Sequence, residues 1–320
     1  MVKVDAIAFD KTGTLTFGKL AVTDIIPFSQ NIDEETLLSF VYSAEIFSEH
    51  PLAKAISEYA KKQEITPKKV TNFRMYPGKG ISAEIDDKKI SCGNEKYLLE
   101  NGVSLSKQST DILTQLSNQG KAFVLVAIDQ ISVGVVALSD VLRPNAQAIV
   151  EKLRNMQVQP LLLTGDNKKT ANYFARKVRV SKIYAQLLPE EKVENLAKLK
   201  QSNHVVCMIG DGVNDAPALK SADVGVSMGS MGSDIAIDAS DIALMSDDIS
   251  KIPYLKRLSN TTVQTIKFSI SLSLCINFVA ILLSLQGVLT PTTGSLVHNA
   301  GACLVVLIAA LLYDRNFEET

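Results

Sequence analysis

The chain has 320 residues, room for two ordinary domains and a little more at about 150 residues each. Lysine plus arginine (33) nearly balances aspartate plus glutamate (34), so no basic excess argues for a nucleic-acid partner. The four cysteines (Cys92, Cys207, Cys275, Cys303) are widely spaced with no C-x-x-C, which argues against a disulfide framework or a cysteine zinc site and for a reducing, cytosolic setting.

The N-terminal stretch has no apolar run of signal-peptide length. Residues 4–9 read as a buried strand that stops abruptly at Asp10-Lys11-Thr12-Gly13-Thr14. From about 20 to 136 the pattern changes. A helical stretch at 34–42, a second after Pro51, and alternating segments at 81–85 and 123–127 predict an inserted α+β domain. The chain is expected to return near 138–144. A helix at 145–156, a strand at 159–163 before Thr164-Gly165-Asp166, and helices at 168–177 and 190–200 follow. A strand at 205–209 then precedes Gly210-Asp211-Gly212. Strands alternating with helices of this length predict a parallel α/β sheet, which binds ligands just past the carboxyl ends of its strands.

From 268 to 313 there are 46 consecutive residues with no Asp, Glu, Lys or Arg. Segments 268–286 and 294–313 are each long and apolar enough to span a bilayer, for which roughly 20 residues are needed. Residues 287–293, with Pro291, are expected to form the turn. Lys251, Lys256, Arg257 and Lys267 before the hairpin and Arg315 after it predict that both ends are cytoplasmic. The expected division is therefore 1–19 with 137–258, 20–136, and 259–320.

The strand ends carry the chemistry. A carboxylate at the tip of a buried strand, Asp10, can attack phosphorus if cations neutralise the approach and N–H groups hold the phosphoryl oxygens. Gly13 permits a close loop, Thr14 offers a donor, and Lys11 is near enough to lower the negative potential. Thr164 can bond a phosphoryl oxygen, and Lys192, opening a helix after Pro189, can neutralise phosphate and nucleophile. Asp10 and Asp211, with Asp215 in support, make a hard oxygen site suited to Mg²⁺.

Asp10-Lys11-Thr12-Gly13-Thr14, Thr164-Gly165-Asp166 and Gly210-Asp211-Gly212-Val213-Asn214-Asp215, in this order and spacing, resemble the haloacid-dehalogenase-like core of P-type ATPases. The resemblance implies catalytic roles for Asp10, Lys11, Thr12, Thr14, Thr164, Gly165, Asp166, Lys192 and Asn214, with Thr12 also beside Mg²⁺. Position 12 carries threonine where related phosphatases place a second aspartate as general acid and base, so a long-lived aspartyl-phosphate is expected. Ser48-Glu49-His50-Pro51 resembles a signature of the heavy-metal branch. For ATP the resemblance implies Glu45, Glu49 and His50 near adenine, the Gly78-Lys79-Gly80 loop near the phosphates, and Asn94 on the nucleotide side. Asp140 and Arg143-Pro144 resemble the hinge back to the core.

The implied partners are a lipid bilayer and a transported cation. Asn277 and Cys275 in the first span, and His298, Asn299 and Cys303 in the second, are the polar candidates, with Asn277, His298 and Asn299 the proposed ligands. A borderline divalent ion (zinc, manganese, iron or cobalt) is favoured over Cu⁺. Interfacial packing is the competing role for His298. The family's actuator loop is not found in this sequence. Expected, then, is an ATP-driven pump portion, either a fragment or one half of a split pump with a second chain. A phosphatase of the same superfamily and an inactive nucleotide-binding remnant are the alternatives.

Overall fold

The computed structural model describes residues 1–229 and 234–312. In chain order, β1 (Ala6–Asp10) leads through a tight loop into β2 (Thr16–Pro27). Next come α1 (Glu34–Glu45), α2 (Pro51–Lys62), β3 (Val70–Tyr76), β4 (Gly80–Ile85) and β5 (Lys88–Gly93). After α3 (Glu95–Glu100) and α4 (Lys107–Asn118), strands β6 (Ala122–Ile128) and β7 (Ile131–Leu142) bring the chain back. The alternating part then runs α5 (Ala146–Asn155), β8 (Gln159–Leu163), α6 (Lys168–Lys177), β9 (Lys182–Tyr184), α7 (Pro189–Gln201) and β10 (Val206–Gly210). It closes with α8 (Ala216–Ser221), β11 (Val224–Met228), α9 (Asp234–Asp238) and β12 (Ile242–Leu244), before α10 (Lys251–Leu285) and α11 (Pro291–Ala310).

Two six-stranded sheets result among the described residues. The parallel one is ordered β12-β11-β10-β1-β8-β9, with β1 near its centre. All five residues of β1 are buried, as an uninterrupted apolar run requires when both faces are covered. Ile7 and Phe9 pack with Ile149, Val150, Leu153 and Ala175 from α5 and α6. Ala6 and Ala8 face Leu196, Leu199 and Leu219 from α7 and α8, the two-residue period dividing the strand between two cores. The second sheet, β2-β7-β6-β5-β4-β3, is antiparallel throughout. One face packs on α1 and α2 through residues such as Leu37, Val41 and Ile56, the other on α3 and α4 through Leu98, Leu113 and Leu116.

Helix starts follow local chemistry. The Asp33 carboxylate accepts from the Thr36 N–H at 2.8 Å to open α1, and Asn167 accepts from Thr170 at 3.0 Å to open α6. Pro51 and Pro189 stand at the first positions of α2 and α7, where a missing N–H costs nothing.

Two expectations about the C-terminal hairpin change. Residues 268–285 of the expected span are only the second half of α10, a single 35-residue helix whose first turns, with Ile252 and Pro253 buried, belong to the parallel-sheet core. Hydropathy marks where a helix meets lipid, not where it starts. Pro291 does not sit in the turn but opens α11, where Thr290 caps by accepting from the Thr293 N–H. The turn is therefore 286–290. Both helices have an apolar, unburied stretch long enough to span a membrane. Tyr313 and Arg315, on which the exit from the second span was read, lie outside the described residues.

Candidate active site and nucleotide cleft

Strand register sets the geometry. Asp10 is level with Leu163 of β8, and Phe9 with Ile209 of β10, so the loops beginning at Lys11, Thr164 and Asp211 emerge side by side. The chain reaches β8 and β9 on one side of β1 and β10 to β12 on the other. The crevice at such a reversal is where open α/β sheets bind ligands. A cleft of about 400 Å³ lies there, lined by Asp10, Thr12, Thr164, Gly165, Asp166, Lys192, Asp211, Asn214 and Asp215 among others.

The centre is a buried charge cluster. Lys192 Nζ donates to Asp10 Oδ1 and to Asp215 Oδ1, each at 2.6 Å. Carboxylate oxygens of Asp10, Asp211 and Asp215 lie within 4.8 Å of one another, the one such acidic, His or Cys group among the described residues. Burial, then the charge of Asp215, pushes the Asp10 carboxyl up to about 7 against the pull of Lys192. Burial and Asp215 likewise raise Asp211 to about 6. Burial pulls Lys192 down, but Asp10 and Asp215 outweigh it and hold the ammonium above its usual value. Three hard oxygen donors crowded at this spacing, with like charge unrelieved by one lysine, fit a divalent cation of the Mg²⁺ type.

The loop after β1 is held from outside. Gly13 has φ +71°, and a Cβ there would lie 1.6 Å from Asp211 Oδ2, so only glycine lets the two loops meet. Arg143, noted in the sequence only as part of a hinge, binds this loop with its buried guanidinium. Nε donates to the Thr14 carbonyl (2.8 Å), Nη2 to Gly13 (2.9 Å) and Nη1 to Asp247 (2.8 Å). Lys11, expected to lower the potential at Asp10, turns instead to Asp166 Oδ2 at 2.7 Å and Asp140 Oδ2 at 3.9 Å. Thr164 Oγ1 accepts from the Asp166 N–H at 3.1 Å, leaving its own hydrogen to donate. Thr14 is fully buried, and its hydroxyl finds no partner among the described residues. Thr12 is exposed at the cleft.

A second cleft, about 500 Å³, opens on the antiparallel-sheet part. Glu45, Ser48, Glu49, His50, Gly78, Gly80 and Asn94 line it. Burial raises Glu45 to about 7, a Ser48 hydrogen bond opposing. His50 Nδ1 accepts from the Leu52 N–H at 3.2 Å as cap of α2, which fixes the ring and leaves Nε2 for a ligand. The glycines serve the protein before any ligand. A Cβ on Gly80 would lie 2.2 Å from the Cys92 carbonyl oxygen, because β4 and β5 close up there. Asn94 is largely occupied: its amide donates to the Gly78 carbonyl (3.0 Å) and its Oδ1 accepts from the Tyr97 N–H (2.8 Å), bracing the glycine loop. Phe47, Met75, Tyr76 and Phe123 complete the walls. The only sequence signal for Phe47 was an aromatic next to the Ser48–Pro51 motif.

In the hairpin, His298 Nδ1 meets Asn277 Oδ1 at 3.1 Å, joining α11 to α10. His298 lies about two turns into α11, which starts at Pro291. Asn299 makes no side-chain hydrogen bond with this pair, being about 100° further round the helix.

A buried aspartate ending a central strand of a parallel sheet is faced by a lysine and two further carboxylates, an arrangement chemically suited to handling a phosphoryl group. The model of the haloacid dehalogenase-like hydrolases matches residues 4–223, and the chain belongs to that family. Within it, the relatives are heavy-metal P-type ATPases, and the match is to their C-terminal portion. The chain is 39% identical over 316 residues to a copper-exporting P-type ATPase of Staphylococcus aureus (strain JH9), covering 99% of this chain and 38% of that protein. It is equally 39% identical to a probable cadmium-transporting ATPase of Staphylococcus aureus (strain MRSA252), covering 98% and 43%. The crystal structure of a zinc-transporting PIB-type ATPase in its E2.Pi state superposes with a TM-score of 0.89 at 32% identity, over 97% of this chain and 50% of that one. The catalytic domain of the CPx-ATPase CopB-B gives 0.58 at 35% identity, over 79% and 90%. The chain thus spans about two fifths of the curated relatives it matches. The fold is haloacid-dehalogenase-like, with α10 and α11 as membrane helices and the α/β part on the cytoplasmic side.

Proposed function

We propose that this chain is the ATP-using, C-terminal membrane portion of a pump for a heavy-metal cation, and that Asp10 carries the phosphoryl group between its states. In this reading 1–19 with 137–258 is the phosphorylation domain, 20–136 the nucleotide-binding domain and 259–320 the last membrane hairpin. The carrying observation is the Lys192 ammonium shared between Asp10 and Asp215 beside Asp211. Lys192 takes Oδ1 of Asp10, so Oδ2 is the oxygen that meets the γ-phosphorus of ATP. Asp10 attacks as its carboxylate: as the Oδ2–P bond forms, the bond to the ADP oxygen breaks and ADP leaves with that electron pair. Thr164 donates to a phosphoryl oxygen. Asp10, Asp211 and Asp215, with Thr12 beside them, would hold Mg²⁺, which supplies charge neutralisation for the phosphate. Thr12 cannot serve as a carboxylate acid or base, so the phosphoenzyme waits for a partner element to hydrolyse it.

The cleft of Glu45, Glu49, His50, Gly78 and Gly80 takes the nucleotide, its buried acid and fixed imidazole suiting a base edge and its glycine loop the phosphates. In the hairpin, Asn277 and His298, with Asn299 following, offer nitrogen and oxygen donors that suit a borderline divalent ion such as zinc better than Cu⁺. An actuator element and further membrane helices, in a longer polypeptide or a second chain, complete the pump in this proposal. Inside-out vesicles from the native host test it. ATP-driven uptake of zinc, manganese, iron or cobalt that disappears with Asp10→Asn is expected. Uptake unchanged by that substitution, or confined to Cu⁺, contradicts the reading or its choice of ion respectively.

A further inference from the structure

Helix α10 serves two regions at once. Its first turns are packed under the parallel sheet, with Ile252 fully buried and Lys256 only 5% exposed, and its second half is the first membrane span. Between Lys256 and Phe268 lies about 18 Å of helix at 1.5 Å per residue. After Pro253 no proline or glycine interrupts α10 to supply a kink.

Lys256 Nζ donates three hydrogen bonds, all to main-chain carbonyls: Met1 at 3.0 Å, Val2 at 2.9 Å and Val4 at 2.6 Å. An ammonium has three N–H donors, so this one is fully used. Burying it costs free energy that an apolar side chain in the same space would not incur. What the ammonium adds is a tripod on the backbone segment that enters β1, two residues before Ala6 and in line with Asp10. At the far end of the same strand, Arg143 ties Gly13 and Thr14 to the Asp247 carbonyl, just before α10 begins. Both ends of the nucleophile's strand are thereby fastened to the base of one helix.

We infer that Lys256 is a positioning residue that couples the phosphorylation of Asp10 to the first membrane helix, by holding the strand that carries Asp10 to the base of α10. The inference rests on Asp10 being the phosphorylated residue. Coupling of this kind needs an element that both sites bias, and in this inference that element is β1 together with the base of α10, tied through Lys256.

The test uses the full chain in lipid nanodiscs, reading two quantities after exposure to Mg²⁺ and ATP: acid-stable label on Asp10, and amide hydrogen exchange over 258–267, the stretch of α10 between tripod and span. In the unaltered chain phosphorylation changes exchange there by about twofold or more. Lys256→Met is expected to take up label to within about twofold of the unaltered chain while that exchange change falls about fivefold, and Lys256→Arg, which keeps donors, restores most of it. If Lys256→Met does not fold, Lys256→Gln, with two N–H donors, carries the same comparison. An exchange change as large in the variant as in the unaltered chain overturns the inference. So does label and exchange response falling together, which marks a merely structural lysine, and so does a phosphorylated unaltered chain with no response in α10. Absence of label in the unaltered chain is a different failure, which removes the phosphorylation reading and the coupling with it.

Discussion

Lys192 occupies the first turn of α7, where the helix dipole disfavours a cation, and it is held there by two carboxylates at 2.6 Å. Replacing it with methionine leaves Asp10, Asp211 and Asp215 facing one another without an organic cation. The expected loss in phosphoenzyme formation from ATP is about 100- to 1000-fold, measured by single-turnover labelling, the scale of losing one preorganised charge at a phosphoryl site. Glu45 gives a pH signature. Its folded-state value is about 7 against an ordinary 4.5, so the folded protein keeps a proton that the unfolded chain has already lost. Stability from this group is present below pH 4.5 and is lost as pH rises through 7. Glu45→Gln escapes that loss. Urea melts should show the variant gaining on the parent from pH 4.5 to 7.5, by about 3 kcal/mol at most, and level thereafter. A gap independent of pH would mean that Glu45 is not held protonated. At this scale the sequence was legible where chemistry is carried by residue type at a strand end: Asp10, Thr164 and Asp211 stand together as read. Where Lys11 points was not legible, because two acidic partners, Asp140 and Asp166, come from distant segments.

Among elements, β4 and β5 show what the glycines of the cleft proposed to bind nucleotide do. Gly80→Ala puts a methyl 2.2 Å from the Cys92 carbonyl oxygen and 2.7 Å from the Gly93 Cα, so the strands must part. Gly78 has φ +70° but open space around it. Gly78→Ala should therefore cost only the left-handed conformational penalty, about 1 kcal/mol. Gly80→Ala should cost several times as much and weaken ATP binding at least about tenfold, measured by thermal melts and nucleotide titration. Equal effects from the two would contradict this account. The amphipathic α6 and the apolar run of β8 that ends at Thr164-Gly165-Asp166 match the sequence reading residue for residue. Strands β9 and β12, three residues each, are too short to carry a period, and the apolar run of β11 is broken by Gly225 and Ser227. The start of α10 was missed for another reason: helix and membrane span are different quantities, and only the second is written in the charge gap.

Over the whole molecule, the parallel and antiparallel sheets have separate cores, one around Phe9 and Leu162 with its partner layer under α7, the other around Leu37 and Val126. Two unfolding transitions are expected by calorimetry, with ATP raising one and Mg²⁺ with a phosphate analogue raising the other. One transition that both ligands shift equally would mean that the sheets unfold as a unit. The alternation of strands and helices implied a parallel sheet, but its strand order and the continuity of α10 from core to bilayer are seen only in three dimensions. The most direct test is incubation of the purified chain with Mg²⁺ and γ-labelled ATP, then acid quenching and treatment with hydroxylamine, beside Asp10→Asn. An acid-stable label released by hydroxylamine and absent from the variant is the expected result. ATP bound in the cleft with no label on Asp10, or a label that persists in Asp10→Asn, would contradict the account.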